Sequence, residues 1–129
     1  MTWSREKSSD LYKVGSWGSG FFDINEKGNV VVTPQGAAGP NVDLLELTQD
    51  LQERGIRVPM LIRFPDITKA RIELLSRCFS KAIEDNGFKG SYRGVYPIKV
   101  NQQRHLVEEL IKFGAPNRLG LECVQSLNF

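Results

Sequence analysis

Hydrophobic positions along the chain follow two kinds of pattern. The first is short and dense: FFDIN (21–25) and NVVVT (29–33) are aromatic or β-branched runs separated only by Glu26, Lys27 and Gly28. Such runs suit strands, and so tight a reversal needs a glycine able to take φ > 0, so the pair predicts a β-hairpin. TPQGAAGP (33–40) supports no periodicity and predicts a loop.

The second pattern has helical spacing. Leu44, Leu45, Leu47 and Leu51 gather on one side of a helix of about three turns, with Asn41 placed to cap it and Gly55 to stop it. From Asp66 onward Ile67, Ala70, Leu74, Cys78, Phe79, Ala82 and Ile83 recur at three- and four-residue steps until Asn86 and Gly87. Lys69, Arg71, Glu73, Arg77, Lys81 and Glu84 fill the opposite face, which reads as solvated.

Further on, the two patterns alternate. PMLIRF (59–64) predicts a strand opened by proline, and YRGVYPIKV (92–100) predicts another. Asn101 then caps a helix with Leu106, Val107, Leu110 and Ile111 on one face, ended by Gly114 with Pro116 beyond, and RLGLEC (118–123) supplies a further strand. Strand, helix and strand over 92–123 fit one right-handed βαβ crossover, so the fold class is α/β, the start of a parallel sheet or barrel. A (β/α)₈ barrel needs about 250 residues, and the chain has 129. A truncated barrel is therefore expected, with residues 1–58 as an amino-terminal β-hairpin and helix segment and 59–129 as the first part of the barrel.

Composition narrows the function classes. Apolar residues make up 40% and charged ones 25%, enough for a core and a solvated surface. The 17 basic and 15 acidic residues are interspersed, with net charge +2, so no basic stripe awaits nucleic acid. MTWSREKSSD has no apolar stretch for a signal peptide, and no window approaches the roughly 18 apolar residues of a membrane span. A cytoplasmic protein without a membrane partner is expected. Cys78 and Cys123 form no CxxC and have only His105 to join them, so metal-ligand spacing is absent and both are expected to be reduced.

Among candidate chemical groups, Lys99 stands out. Ligand sites of parallel α/β folds gather at the carboxyl ends of strands, and Lys99 falls at that end of 92–100. A lysine walled from water there is poised to attack an aldehyde and form a Schiff base. Position alone favours an ordinary solvated lysine. Asn101 shares its side of the chain if the extended backbone persists, and otherwise starts the next helix. His105 reads as a helix-surface residue. Glu108 and Glu109 are adjacent and diverge by about 100°, so they form no acid/base dyad. Trp17, Phe21 and Phe22 read as core or interface aromatics. Gly15, Gly18 and Gly20 read as turn glycines, since no Lys-Ser pair of a phosphate loop follows them.

YPIKVNQ (96–102) resembles the cofactor-lysine segment of the biosynthetic arginine decarboxylases, pyridoxal 5′-phosphate enzymes that make agmatine from L-arginine. GSWGSGFFDINEKGNVVV, LIRFPDI and GVYPIKVNQQRHLVEELIKFG followed by GLE resemble the same family in the same order, over residues 9–122. The resemblance implies an alanine-racemase-like barrel with a β-rich second domain, homo-oligomeric assembly, magnesium beside pyridoxal phosphate, and Lys99 as the lysine that is both catalytic and cofactor-binding. The tail CVQSLNF departs from the family after Glu122, which suggests an inactive fragment lacking most of its site. Two other readings stand beside this one: a non-catalytic α/β remnant that binds a partner, and a different amino-acid decarboxylase or racemase of the same barrel class.

Overall fold

Phe22, Asp23 and Ile24 pair antiparallel with Val32, Val31 and Val30, so the dense runs become strands β1 (Phe22–Ile24) and β2 (Val30–Val32) of a hairpin. The computed structural model describes residues 2–36 and 39–123, which belong to two units, Met1–Ile67 and Thr68–Phe129. At the hairpin tip Gly28 has φ +84, and its N–H donates to the Asn25 carbonyl at 3.0 Å. A three-residue connection of this kind needs a left-handed residue there, and glycine takes it without strain.

Val31 and Val32 point to opposite faces of the sheet, yet are only 5% and 0% exposed. The sheet is therefore covered on both sides, and with Val14 and Ile24 these valines form the core of the first unit. Part of the cover comes from α1 (Arg5–Leu11) and α2 (Val14–Trp17), which pack on β1. Neither helix has an apolar stripe to announce it in the sequence. Polar ties hold α1 instead: the Ser4 hydroxyl accepts from the Lys7 N–H at 3.3 Å, Trp3 Nε1 donates to Ser8 Oγ at 2.8 Å, and Arg5 pairs with Asp23 and, at 3.6 Å, with Glu26. The hydrogen bond to Asp23 raises the Arg5 pKa further above its ordinary value.

A third strand, β3 (Val42–Asp43), pairs antiparallel with β2 through Val32 and Val31 and leads directly into α3 (Leu44–Glu53). The cap of α3 is consequently Asp43 and not Asn41, because pairing of Val42 with Val32 keeps the chain extended two residues longer. One Asp43 carboxylate oxygen accepts from the N–H groups of Leu45 and Glu46, at 2.9 and 3.2 Å. The other accepts from the side-chain amides of Asn25 and Asn29, at 2.7 and 2.9 Å. The hydrogen bond from Asn29, helped by those from Glu46, Asn25 and Leu45, holds the carboxyl below its usual pKa. Helix α3 stops as its sequence predicts: Gly55 has φ +83, and the Ile56 N–H donates to the Leu51 carbonyl at 3.0 Å. Of the predicted loop 33–40, the described residues form neither helix nor strand, and residues 37 and 38 lie outside them.

PMLIRF forms no strand. A strand opened by proline needs a neighbour to complete its ladder, and none of the described strands pairs with it. Helix α4 (Pro65–Asp85) starts one residue before Asp66, with proline at its first position, where the missing N–H costs nothing. It ends as predicted, with Phe88 N–H donating to the Ile83 carbonyl at 3.0 Å beyond Gly87, whose φ is +60.

In the second unit the predicted strand–helix–strand forms. Strand β4 (Val95–Pro97) runs parallel to β5 (Gly120–Glu122), with Val95, Tyr96 and Pro97 opposite Gly120, Leu121 and Glu122, joined by α5 (Arg104–Gly114). This is a mixed α/β fold in which the described strands close no barrel. Ile72 and Leu110 are its buried apolar side chains. Gly114 has φ −81, so it is no left-handed stop; it is buried, and a Cβ there would lie 2.5 Å from Leu119 Cβ and 2.7 Å from its Cδ2. Close packing, not backbone freedom, requires this glycine. The tail after Cys123 lies outside the described residues.

Two stability predictions follow from these contacts. Asp43→Asn brings an amide against the amides of Asn25 and Asn29, so its thermal midpoint should fall by several degrees near neutral pH. Because the folded carboxyl is depressed, its contribution is present above the unfolded pKa of about 3.9 and lost as pH falls through the folded value. Melting curves recorded between neutral and strongly acid pH should therefore converge for wild type and variant at the acid end, and a constant gap would show that the charge is irrelevant. Gly114→Ala should lower stability on denaturant titration, since overpacking costs about 1–3 kcal/mol against at most about 1 kcal/mol of helix propensity gained.

Candidate functional site

Lys99 lies two residues beyond the carboxyl end of β4, in a single 3₁₀ turn, Ile98–Val100. The predicted strand 92–100 is cut to three residues on this side by Pro97, which has no N–H with which to extend the ladder to β5. The Lys99 side chain is exposed, and among the described residues it makes no hydrogen bond or ion pair. Its predicted location at a strand's carboxyl end is met; a wall around it is not formed by the described residues. At the mouth of a parallel sheet such walls come from neighbouring strands and their loops, and among the described strands only β4 and β5 stand there.

The turn that carries Lys99 is fixed from both sides. Asn101 returns to extended backbone, φ −152 and ψ 110, and its side-chain oxygen accepts from the Gln103 N–H at 3.0 Å. The Asn101 carbonyl accepts from the Tyr96 hydroxyl at 3.4 Å. Asn101 thus closes an Asx turn ahead of α5, while the cap position falls to Gln103, which makes no side-chain cap bond. Alternation of sides between Lys99 and Asn101 does not hold through a 3₁₀ turn.

The remaining candidates are placed as surface chemistry. His105 is exposed. Glu108 pairs with Arg104 one turn earlier on α5, at 2.7 Å between Arg104 Nε and Glu108 Oε1. Trp17 packs at 5.2 Å from Phe22, remains half exposed, and donates from Nε1 to the Tyr12 carbonyl at 2.9 Å. Cys78 and Cys123 are free and exposed. Among the described residues no three His, Cys, Asp or Glu side chains gather as a metal site, and no helix is long and apolar enough to cross a membrane.

Two cavities of the first unit lie at its sheet and loops. One, of about 220 Å³, is walled by Pro34, Pro40, Val42, Phe64 and Pro65. Another, of about 480 Å³, has a mixed border that includes Arg5, Asp23, Asn25 and Glu26 beside Phe22 and Val31. In the second unit a polar cavity of about 400 Å³ lies between α4 and the segments that enter β4 and β5. Lys99 lines none of the three. The third is bordered by Arg118, which precedes β5 as a left-handed residue with φ +55 and not as part of the predicted strand 118–123.

No protein-family model matches the chain. Curated proteins do. A biosynthetic arginine decarboxylase of Gloeobacter violaceus is 51% identical over 121 residues, 94% of this chain and 19% of that protein. Proteins of the same name from Bacteroides thetaiotaomicron and Phocaeicola vulgatus are 50% and 49% identical over the same shares. The chain spans 19% of the length of these relatives. A match of 121 residues in a chain of 129 necessarily takes in the segment around Lys99.

Since the Lys99 side chain has no partner, Lys99→Ala should leave stability unchanged within about 0.5 kcal/mol, read as the urea midpoint. A larger loss would mean that the amine holds the turn together and is not free for chemistry.

Proposed function

We propose that the chain, homologous over 94% of its length to the biosynthetic arginine decarboxylases, contributes the cofactor lysine of a pyridoxal-phosphate-dependent decarboxylase that converts L-arginine to agmatine and CO₂ in polyamine biosynthesis. The observation that carries this reading is the identity of 51% with the Gloeobacter protein over a 121-residue match, long enough to include Lys99. The residues present suit the group in one respect that the chemistry requires: a primary amine without an ion-pair partner at the carboxyl end of a parallel strand. When bound, pyridoxal phosphate supplies an electron sink for the pair released as the carboxylate leaves.

The chain's own part in this reading is positional. Pro97 ends the ladder, Tyr96 holds the Asn101 carbonyl, and Asn101 closes the following turn, so the backbone under Lys99 is held while the amine stays free. Residues 1–58 form the amino-terminal segment and 59–129 the first part of an alanine-racemase-like barrel, in which further strands would wall the amine from water. Much apolar surface supports that continuation: Leu75, Phe79, Val95 and Ile111 are each 46–60% exposed. The assembled enzyme is read as a cytoplasmic homo-oligomer that uses magnesium beside pyridoxal phosphate.

Incubating the protein with pyridoxal phosphate, reducing with borohydride and mapping the peptides should show one dominant adduct, on Lys99, absent from Lys99→Ala. Labelling spread evenly over the lysines would reject the assignment. In the complete reading frame, Lys99→Ala should abolish agmatine formation from arginine, and preference for lysine or diaminopimelate would reassign the substrate.

A further inference from the structure

Asn86 stands where α4 ends, and its surroundings oppose a reaction that its neighbour in sequence invites. Of the seven asparagines, only Asn86 precedes glycine; the others precede Glu, Val, Gln, Arg or Phe. That neighbour matters chemically. A backbone nitrogen can attack the carboxamide carbon of the asparagine before it, and a glycine nitrogen does so with least hindrance because no Cβ stands beside it. Asn86 and Gly87 are both exposed, so water and base reach the pair.

The helix end holds the two reacting groups apart. The Gly87 N–H donates to the Glu84 carbonyl at 3.1 Å and the Phe88 N–H to the Ile83 carbonyl at 3.0 Å, the paired bonds of a Schellman motif with Gly87 left-handed at φ +60. The nucleophile is thus occupied. On the other side Asn86 Nδ2 donates to the Ala82 carbonyl at 2.8 Å, and that same carbonyl accepts the Asn86 backbone N–H at 3.2 Å. The carboxamide is therefore drawn back along α4, whereas ring closure needs its carbon turned forward onto the Gly87 nitrogen. Attack requires both bonds to open, and at a helix terminus that opening is local and far easier than global unfolding.

We propose that Asn86 is the chain's principal site of spontaneous deamidation and that the cap of α4 gates it, so that the reaction proceeds only from the opened helix end. A base takes the Gly87 amide proton, the nitrogen bonds to Asn86 Cγ, and the Cγ–Nδ2 bond breaks as ammonia leaves with a proton, forming a succinimide. Water then opens the ring at one of its two carbonyls, leaving aspartate or isoaspartate. Neither product restores the cap. The new carboxylate offers no donor to the Ala82 carbonyl, and it joins Glu84 and Asp85 at a helix end without a basic residue in its last turn, where the dipole disfavours negative charge. None of this depends on the decarboxylase reading, since neither Lys99 nor a relative enters it.

The test is to age the full chain at neutral pH in buffer and in guanidinium chloride, and to follow the amide-to-acid mass gain at each asparagine by peptide mapping. A short unstructured Asn-Gly peptide in the same two solutions corrects for the denaturant's effect on the chemistry. In denaturant Asn86 should react faster than every other asparagine, and in buffer its corrected rate should be at least tenfold lower. Phe88→Pro leaves the reacting pair intact but removes the N–H that donates to Ile83 and disfavours the helical backbone before it; since Phe88 is 66% exposed, little packing is lost. That variant should deamidate severalfold faster than wild type in buffer, with its circular dichroism otherwise kept. A faster asparagine elsewhere in denaturant, equal corrected rates in buffer and denaturant, or a folded Phe88→Pro chain that reacts no faster than wild type would each overturn the proposal. Should the variant unfold, the comparison of buffer with denaturant decides alone.

Discussion

Parallel strands cannot be joined by a tight turn, and this constraint organises the second unit. To bring Gly120 opposite Val95 the chain must leave β4, travel back along α5 and re-enter beside it. Everything that leaves a strand then collects at one end of the pair and everything that enters collects at the other. Lys99 and Asn101 belong to the first group; Ser91, Tyr92, Asn117 and Arg118 belong to the second. The crossover depends in turn on Gly114, because the backbone at the end of α5 passes so close to Leu119 that no side chain fits between them.

The first unit is held differently. Its described core is three valines and one isoleucine, and its outer elements are fixed by charge and hydrogen bonding: Arg5 to Asp23 and Glu26, Lys27 to Glu46 at 2.7 Å, and Asp43 to four donors. The Glu46 hydrogen bond raises the Lys27 pKa just as the amides around Asp43 lower that of the carboxyl. Exposed ion pairs contribute little singly, because solvent screens them. Asp43 matters more because one carboxylate serves both the hairpin tip and the first turn of α3, so its loss uncouples two elements at once.

What could be read in the sequence divides along the same line. The hairpin, α3, α4 and the strand–helix–strand were visible because apolar residues recur at periods of two or 3.6 and because Gly28, Gly55 and Gly87 mark places that demand positive φ. Helices α1 and α2, seven and four residues long, were not visible, since neither carries an apolar stripe. PMLIRF looked like a strand because composition reports burial preference, whereas strand formation requires a partner. Lys99 was found through the pattern of residues around it; its geometry alone, an exposed lysine after a strand, would not have distinguished it.

Two parallel strands with apolar surface on α4, β4 and α5 also have an energetic consequence. Parallel sheets persist where both faces are covered, and β4 and β5 share few ladder bonds. Val95, at the first position of this pairing, is 60% exposed, and Leu75 and Phe79 on α4 are 54% and 46% exposed. Covering these side chains would stabilise the pair by roughly 25 cal/mol for each Å² removed from water, and the same cover, placed at the carboxyl ends, would exclude water from Lys99. In the proposed reading, covering the sheet and shielding the Lys99 amine are therefore one requirement, because both would fall to the same neighbours of β4 and β5.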